Sequence, residues 1–463
     1  MNSQMKPAHK DFTEKFLNYL NSTGSPYHTV NEMVEVLKKS GFVRYNGDLK
    51  KDGKYYLTFN YSTLLAFHIG PDFDLNNQRS TAVIAGAHTD SPCLRIRPNS
   101  ITHNEGFTQL SVSTYGGGLW HTWFDRGLGV AGKVVTTNCR EKLIRIQEPI
   151  CIIPNLAIHL QLGEEHKSFT FDKEFHLQPI ISCATHDSSL EDQNNFKQVY
   201  TLPKELLNKI CDQTELQPNE VLSYDLCLMD SVPSRFAGVN EEFIDSPRLD
   251  NLGGTYSCFH ALILASENNK HDIIMVASFD HEEVGSKSYT GSQSDILRQV
   301  LTELLSKLAE AETFSFQHFM YRSMFLSVDM AHGVHPNYPE RHQKDHKPVF
   351  KGGIVLKHNF NQSYSTDCTT ASYLKAIAQK ANIPLQEFLV KNNSPCGGTI
   401  GPIVACKLGI RTADIGVPML AMHSIREFMA ADDIYILMDF IKSYFKLWGE
   451  FKGQSLLLDD LHI

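Results

Sequence analysis

The stretch Asp272-Ile-Ile-Met-Val-Ala-Ser-Phe-Asp-His-Glu-Glu-Val-Gly-Ser286 decides how this chain is read. Its first half is a short continuous apolar run, the pattern of a strand buried on both faces of a sheet. Its second half places two adjacent carboxylates, Glu282 and Glu283, where that strand should end. Working outward, runs of the same kind recur at 81–87, 324–328, 353–356 and 411–415. Helical spacing of apolar residues appears at 10–21, 29–39, 252–265, 294–311, 368–381 and 432–448, the second of these stopped by Ser40-Gly41. Such alternation predicts an α/β protein with a mainly central β-sheet flanked by helices.

Between about residues 93 and 236 the pattern changes. Segments 109–114, 142–146 and 169–175 alternate like strands, among prolines and a Gly116-Gly-Gly118 turn. This block reads as a β-rich domain inserted into the first, which would comprise residues 1–92 and 237–463. The polar stretch 187–198 reads as an exposed loop.

Bulk properties exclude several functions. The chain has 463 residues, a formal charge of −9 and no basic run longer than a pair such as Lys50-Lys51, so it lacks the electrostatic footprint of a nucleic-acid binder. Ten cysteines without a Cys-x-x-Cys spacing predict reduced thiols in a cytoplasmic protein rather than a zinc knuckle or a redox pair. Neither an apolar signal core in MNSQMKPAHKDF nor a run of about 18 apolar residues is found, so neither secretion nor a membrane span is expected.

Ionisable residues cluster at the ends of the predicted strands: His88 and Asp90, Glu282 and Glu283, Asp329 and His332, and Lys357. Ligands of open α/β sheets bind outside such ends. Asp250, at the start of a predicted helix, and His423, after the run ending near Pro418, add two more. Taken singly, each is ordinary: Asp329 could cap a turn and a lone histidine could be hydrogen-bonded in the core. Together, carboxylates and imidazoles without thiolates suit a hydrolytic zinc, manganese or cobalt site. They are too many for one tetrahedral ion, whereas two ions sharing a carboxylate would use them all. His88 and Asp90 lie two apart on an extended chain, so Asp90 can orient the imidazole. Glu282 and Glu283 point in different directions, so one can bind metal while the other serves as base.

Rival chemistries fit less well. Glycosidase carboxylates must flank a bond from roughly 5 to 9.5 Å apart, which neighbours in one turn do not. No Gly-x-Ser-x-Gly nucleophile elbow occurs. Gly116-Gly-Gly118 lacks a phosphate loop's lysine and reads as a tight turn or close packing. The histidines from His335 to His346 read as part of a solvated loop.

In order along the chain, SPYH from Ser25, AGAHTDSPCLR from Ala85, YGGGLWHTWFDR from Tyr115, NLAIHLQ from Asn155, RLDNL from Arg248, FDHEEVGS from Phe279, VDMAHGVHPNY from Val328, SPCGGTIGPI from Ser394 and LAMHSIRE from Leu420 resemble the aspartyl aminopeptidase family of dinuclear zinc exopeptidases, to which vacuolar aminopeptidase I also belongs. The resemblance implies two Zn2+ per subunit, the second exchangeable with Mn2+ or Co2+. Asp250 would bridge them, with His88 and Asp329 on one and Glu283 and His423 on the other. It implies Glu282 as general base, Asp90 as the orienter of His88, and His332 as a donor on the oxyanion side. Lys357 and Tyr364 would hold the acidic side chain of the substrate's first residue, giving specificity for peptides with N-terminal Asp or Glu. His159, in the insert, would enter a neighbour's active site, making the insert a dimerisation domain within a tetrahedral dodecamer. The short N-terminus matches the cytosolic members rather than the vacuolar one, which prefers neutral residues. Two alternatives stand beside this expectation: the same metal chemistry with neutral, Leu-type specificity, and a non-catalytic assembly or cargo protein on the same fold.

Overall fold

The apolar run at 273–277 lies within the strand Ile273–Phe279 of a nine-stranded sheet in the computed structural model, which describes residues 5–75, 77, 80–183, 202–309 and 315–451. In sheet order the strands are Val43–Arg44, Lys54–Phe59, Thr63–Ile69, Ile273–Phe279, Ala82–His88, Met324–Val328, Arg411–Gly416, Ile354–His358 and Leu385–Leu389. Alternate residues serve opposite faces. Ile274 and Val276 pack into a core with Phe16, Tyr256, Tyr444 and Trp448, built from the helices Pro7–Ser22, Pro26–Lys39, Leu249–Ser266, Cys368–Ala381 and Asp433–Phe451. Ile273, Met275 and Ala277 face a second core with Leu301, Phe319 and Val404, from the helices Ile296–Leu308, Phe316–Arg322 and Ile400–Leu408. Helices on both faces explain why the run has no polar residue from Ile273 to Ala277.

The four strands from Ile273–Phe279 to Arg411–Gly416 are mutually parallel, so their carboxyl ends open on one edge. Ile354–His358 departs from the expected arrangement: it runs antiparallel to Arg411–Gly416, with Lys357 opposite Asp414. Its carboxyl end therefore points the other way. Lys357 nonetheless reaches the common edge through its side chain, donating from Nζ to the Met330 carbonyl at 2.6 Å.

The insert contains a closed barrel of Val221–Asp230, Cys93–Asn104, Phe107–Tyr115, Ile180–Cys183, Glu141–Ile152 and Gly127–Thr136, with its own core around Leu94, Val112, Ile144 and Leu226. Residues 169–175 are not a strand. The Asp172 carboxylate accepts the Glu174 and Phe175 N–H groups at 2.7 and 3.1 Å, closing a turn that outcompetes pairing. The polar stretch 187–198 lies outside the described residues.

A third sheet was not legible as a pattern. Its strands Arg235–Ala237, Phe243–Ser246, Glu427–Ala430, Pro418–Leu420 and Ala331–His332 hold two to four residues each, too short for a period to register. It carries His332 and brackets the loop of His423. Among the described residues no helix is long and apolar enough to cross a membrane, and all ten cysteines are free thiols.

Candidate metal centre

Each residue of the centre is placed by a chain element that changes direction at the open edge of the sheet. His88 ends the strand Ala82–His88, Asp329 follows Met324–Val328, and Glu282 and Glu283 follow Ile273–Phe279 in a single 3-10 turn. That turn begins at His281, whose φ of 62° lies in the left-handed region; its Nδ1 is 2.8 Å from Ser288 Oγ, which fixes the ring. Asp250 begins the helix Leu249–Ser266, although Asp250 and Asn251 themselves have non-helical dihedrals and share a cis peptide bond. Asn251 anchors this entry by donating to the Val328 carbonyl at 2.8 Å and accepting from Gly254 N–H at 3.1 Å.

Asp250 is the centre of the arrangement. Its Oδ1 lies 3.4 Å from His88 Nε2, and its Oδ2 lies 3.4 Å from His423 Nε2. His88 Nε2 is also 3.7 Å from Asp329 Oδ1, while His423 Nε2 is 3.4 Å from Glu283 Oε2. Two groups able to hold a cation thus share Asp250: His88 with Asp250 and Asp329, and Asp250 with Glu283 and His423. A third, His88 with Glu282 and Glu283, overlaps both. The fit to cations shows in atoms as well as in residue types, because Asp250 Oδ1 and Glu283 Oε1 are buried without a hydrogen-bond partner.

Crowding sets the charge state. Burial, then the neighbouring carboxylates, raises Glu282 to about 8 and Glu283 well above the ordinary carboxylate range. Burial opposes the charged form of His423, but Asp250 and Glu283 outweigh it and raise the imidazole to about 10. Asp250 is held below its usual value: burial works against the carboxylate, and the adjacent imidazoles of His423 and His88 overcome it. A glutamate whose folded pKa is raised above its unfolded value contributes stability that is fully present below the unfolded pKa and lost as pH rises through the folded one. Raised histidines act in the same direction. The metal-free protein is therefore expected to melt at progressively lower temperature as pH rises from 6 to 9, as followed by calorimetry, and a divalent cation should protect it more at pH 8 than at pH 6.

Asp90 does more than its spacing predicts. His88 Nδ1 is 3.0 Å from the Asp90 backbone carbonyl and 3.3 Å from its Oδ1. The carboxylate also accepts the Glu282 and Glu283 N–H groups, both at 3.1 Å, and the Tyr115 hydroxyl at 2.6 Å. One buried carboxylate thus fixes an imidazole and the glutamate turn together. The glycine-rich turn joins the same frame. Gly116, at φ +78°, would place a Cβ 3.2 Å from that of Glu283, and the Gly117 carbonyl lies 3.1 Å from His423 Nδ1.

Glu427 escaped the sequence reading because it opens the short strand Glu427–Ala430, and a glutamate at such a position ordinarily faces solvent. Here it is buried, accepting the Asp250 N–H at 3.0 Å and the His423 N–H at 2.7 Å. Glu427→Ala leaves both donors unpaired and should cost about 2 kcal/mol or more, while Glu427→Gln, which keeps an acceptor oxygen, should cost less. Thermal denaturation of the metal-free variants measures the difference.

The cleft above these residues encloses about 540 Å3, with Lys357, Tyr364, His332 and the Gly397-Gly398 turn in its walls. Lys357 is 3 % exposed, its Nζ 3.9 Å from Asp329 Oδ2 and 5.4 Å from the Tyr364 ring centre. His332 is exposed to the cleft, but partial desolvation by its walls, reinforced by Lys357, lowers its pKa and favours the neutral imidazole. His159 does not line this cleft. It sits on an exposed turn, Ile158–Leu160, beside the exposed Leu156 and Leu162.

Residues 19–445 match the family model described as aminopeptidase I zinc metalloprotease (M18). The chain is 39% identical to an aspartyl aminopeptidase of Caenorhabditis elegans, covering 94% of this chain and 96% of that one. It is 38% identical to aspartyl aminopeptidase 4 of Saccharomyces cerevisiae, covering 98% of each. A solved structure of an Ape4 and Nbr1 complex superposes with a TM-score of 0.90 at 35% identity, covering 97% of this chain and 89% of that one.

Proposed function

The chain belongs to the M18 family of zinc aminopeptidases, and from that premise we propose that it removes N-terminal Asp or Glu from peptides at a pair of zinc ions. The observation that carries the reading is Asp250, whose two oxygens face two imidazoles on opposite sides. Asp250 would bridge the ions, with His88 and Asp329 completing one site and Glu283 and His423 the other, the second also accepting Mn2+ or Co2+. Two such ions supply an activated water and a polarised scissile carbonyl.

The chain's own residues then divide the remaining work. Glu282 takes the proton of the attacking water and delivers it to the departing amine. Asp90 holds the Glu282 backbone and the His88 ring in place. His332 donates toward the developing oxyanion, a role suited to an uncharged imidazole. Lys357, buried beside Tyr364, pairs with the carboxylate of the first residue's side chain. A buried cation favours a carboxylate over a neutral side chain, which offers it neither charge nor an acceptor oxygen.

The assembly is proposed to be a homo-oligomer, a dodecamer built from dimers through the 93–236 insert, with His159 entering a neighbouring subunit's cleft. Leu156, Ile158, Leu160 and Leu162 around His159 are 51 to 78 % exposed, an apolar surface that favours a partner. The free thiols agree with a cytoplasmic location.

Lys357→Met tests the specificity directly. Its kcat/KM for an Asp-initiated peptide should fall roughly 30-fold or more, with a Leu-initiated peptide gaining relative to it. Acetylating the substrate's N-terminus should abolish turnover by either protein. An unchanged Asp-to-Leu ratio in the variant would remove Lys357 from the pocket.

A further inference from the structure

A second cavity, of about 300 Å3, adjoins the catalytic cleft and shares His332 and Met422 with it. Its lining includes the apolar Phe388 and Met419, and its ionisable side chains are all basic: His332, His335, Arg341, His342 and Lys391. The Phe388 ring lies 6.0 Å from the His332 ring, 6.2 Å from His342 and 6.4 Å from Tyr364 of the catalytic cleft. The histidine-bearing loop is therefore folded against the centre rather than solvated throughout. His342 Nε2 lies 3.3 Å from the His332 carbonyl, and burial depresses its pKa. The lasting positive charge thus comes from Arg341 and Lys391. Glu340, 3.6 Å from Arg341 Nε, offsets part of it, whereas Lys391 Nζ bonds only a neutral group there, the Glu340 carbonyl at 3.0 Å.

We propose that this cavity is the subsite for the substrate's second residue and that it selects a carboxylate there. The inference rests on the aminopeptidase reading above. With the first side chain directed to Lys357 and the scissile carbonyl beside His332, the chain beyond that bond can leave past His332 and Met422, the walls common to both spaces. It then meets an apolar floor edged by two cations and no lining acid. The carboxylate can come from an acidic second side chain or from the free C-terminus of a dipeptide.

The test uses the zinc-loaded full chain. One arm compares C-terminally amidated tripeptides Asp-Asp-Ala, Asp-Leu-Ala and Asp-Lys-Ala; the other compares Asp-Ala with its amide. Acidic over basic second residues, or free over amidated dipeptide, should be favoured about fivefold in kcat/KM, the scale of a partly exposed ion pair. The arm that shows the preference identifies the source of the carboxylate. Arg341→Glu and Lys391→Glu should each erase or invert it while the Asp-to-Leu ratio at the first residue stays as in the wild type. A second-residue preference identical in wild type and both variants, or absent from both arms, overturns the subsite and leaves the aminopeptidase reading standing. No hydrolysis of any Asp-initiated peptide by the wild type overturns both.

Discussion

Glu282→Gln is expected to lower kcat on an Asp-initiated peptide by about 10^2- to 10^4-fold, the range for loss of a general base. Glutamine preserves the side chain's size, and its backbone N–H can still donate to Asp90, so the turn that also carries Glu283 stays in place. What it loses is the capacity to take a proton. Zinc content measured by elemental analysis should match the wild type, and KM should change little. Adjacent glutamates make this prediction informative, because Glu282 also belongs to one of the three candidate cation groups, with His88 and Glu283. Loss of zinc in Glu282→Gln, with retention in Glu283→Gln, would exchange the two roles.

Asp250→Ala should have the larger effect. It removes the carboxylate whose two oxygens lie 3.4 Å from His88 Nε2 and His423 Nε2, so both ions should be lost or weakened together and turnover should fall below detection. The same change relieves repulsion in the metal-free site, since Asp250 is among the groups raising Glu282, Glu283 and Glu427. The metal-free variant should therefore melt less steeply with rising pH than the metal-free wild type. Retention of one tightly held zinc with full occupancy would show that Asp250 serves a single ion rather than bridging two.

The central sheet was legible because both of its faces are covered: at 273–277 and 81–87 a continuous apolar run has only one economical use. The metal-site candidates were legible for a related reason, since a strand's end is where the chain turns and its side chains converge. Lys357 was placed correctly at the cleft but by an incomplete argument, because strand direction is set by partners distant in sequence. Glu427 and Asn251 lie in the stretches LAMHSIRE and RLDNL, yet were not singled out, because their importance comes from the backbone groups they bond in the folded chain: the Asp250 and His423 N–H groups for Glu427 and the Val328 carbonyl for Asn251. The small sheet under His332 and His423 was missed likewise, since strands of two to four residues carry no period. The expected strand at 169–175 failed where a single aspartate offered the backbone a tighter local bond.

The most direct measurement is kcat/KM on two peptides identical except for an N-terminal Asp or Leu, taken on the zinc-loaded protein, after chelation, and after zinc is restored. The account predicts a strong preference for Asp that disappears with the metal and returns with it. Preference for Leu, or turnover of Asp peptides that survives complete removal of metal, would contradict it.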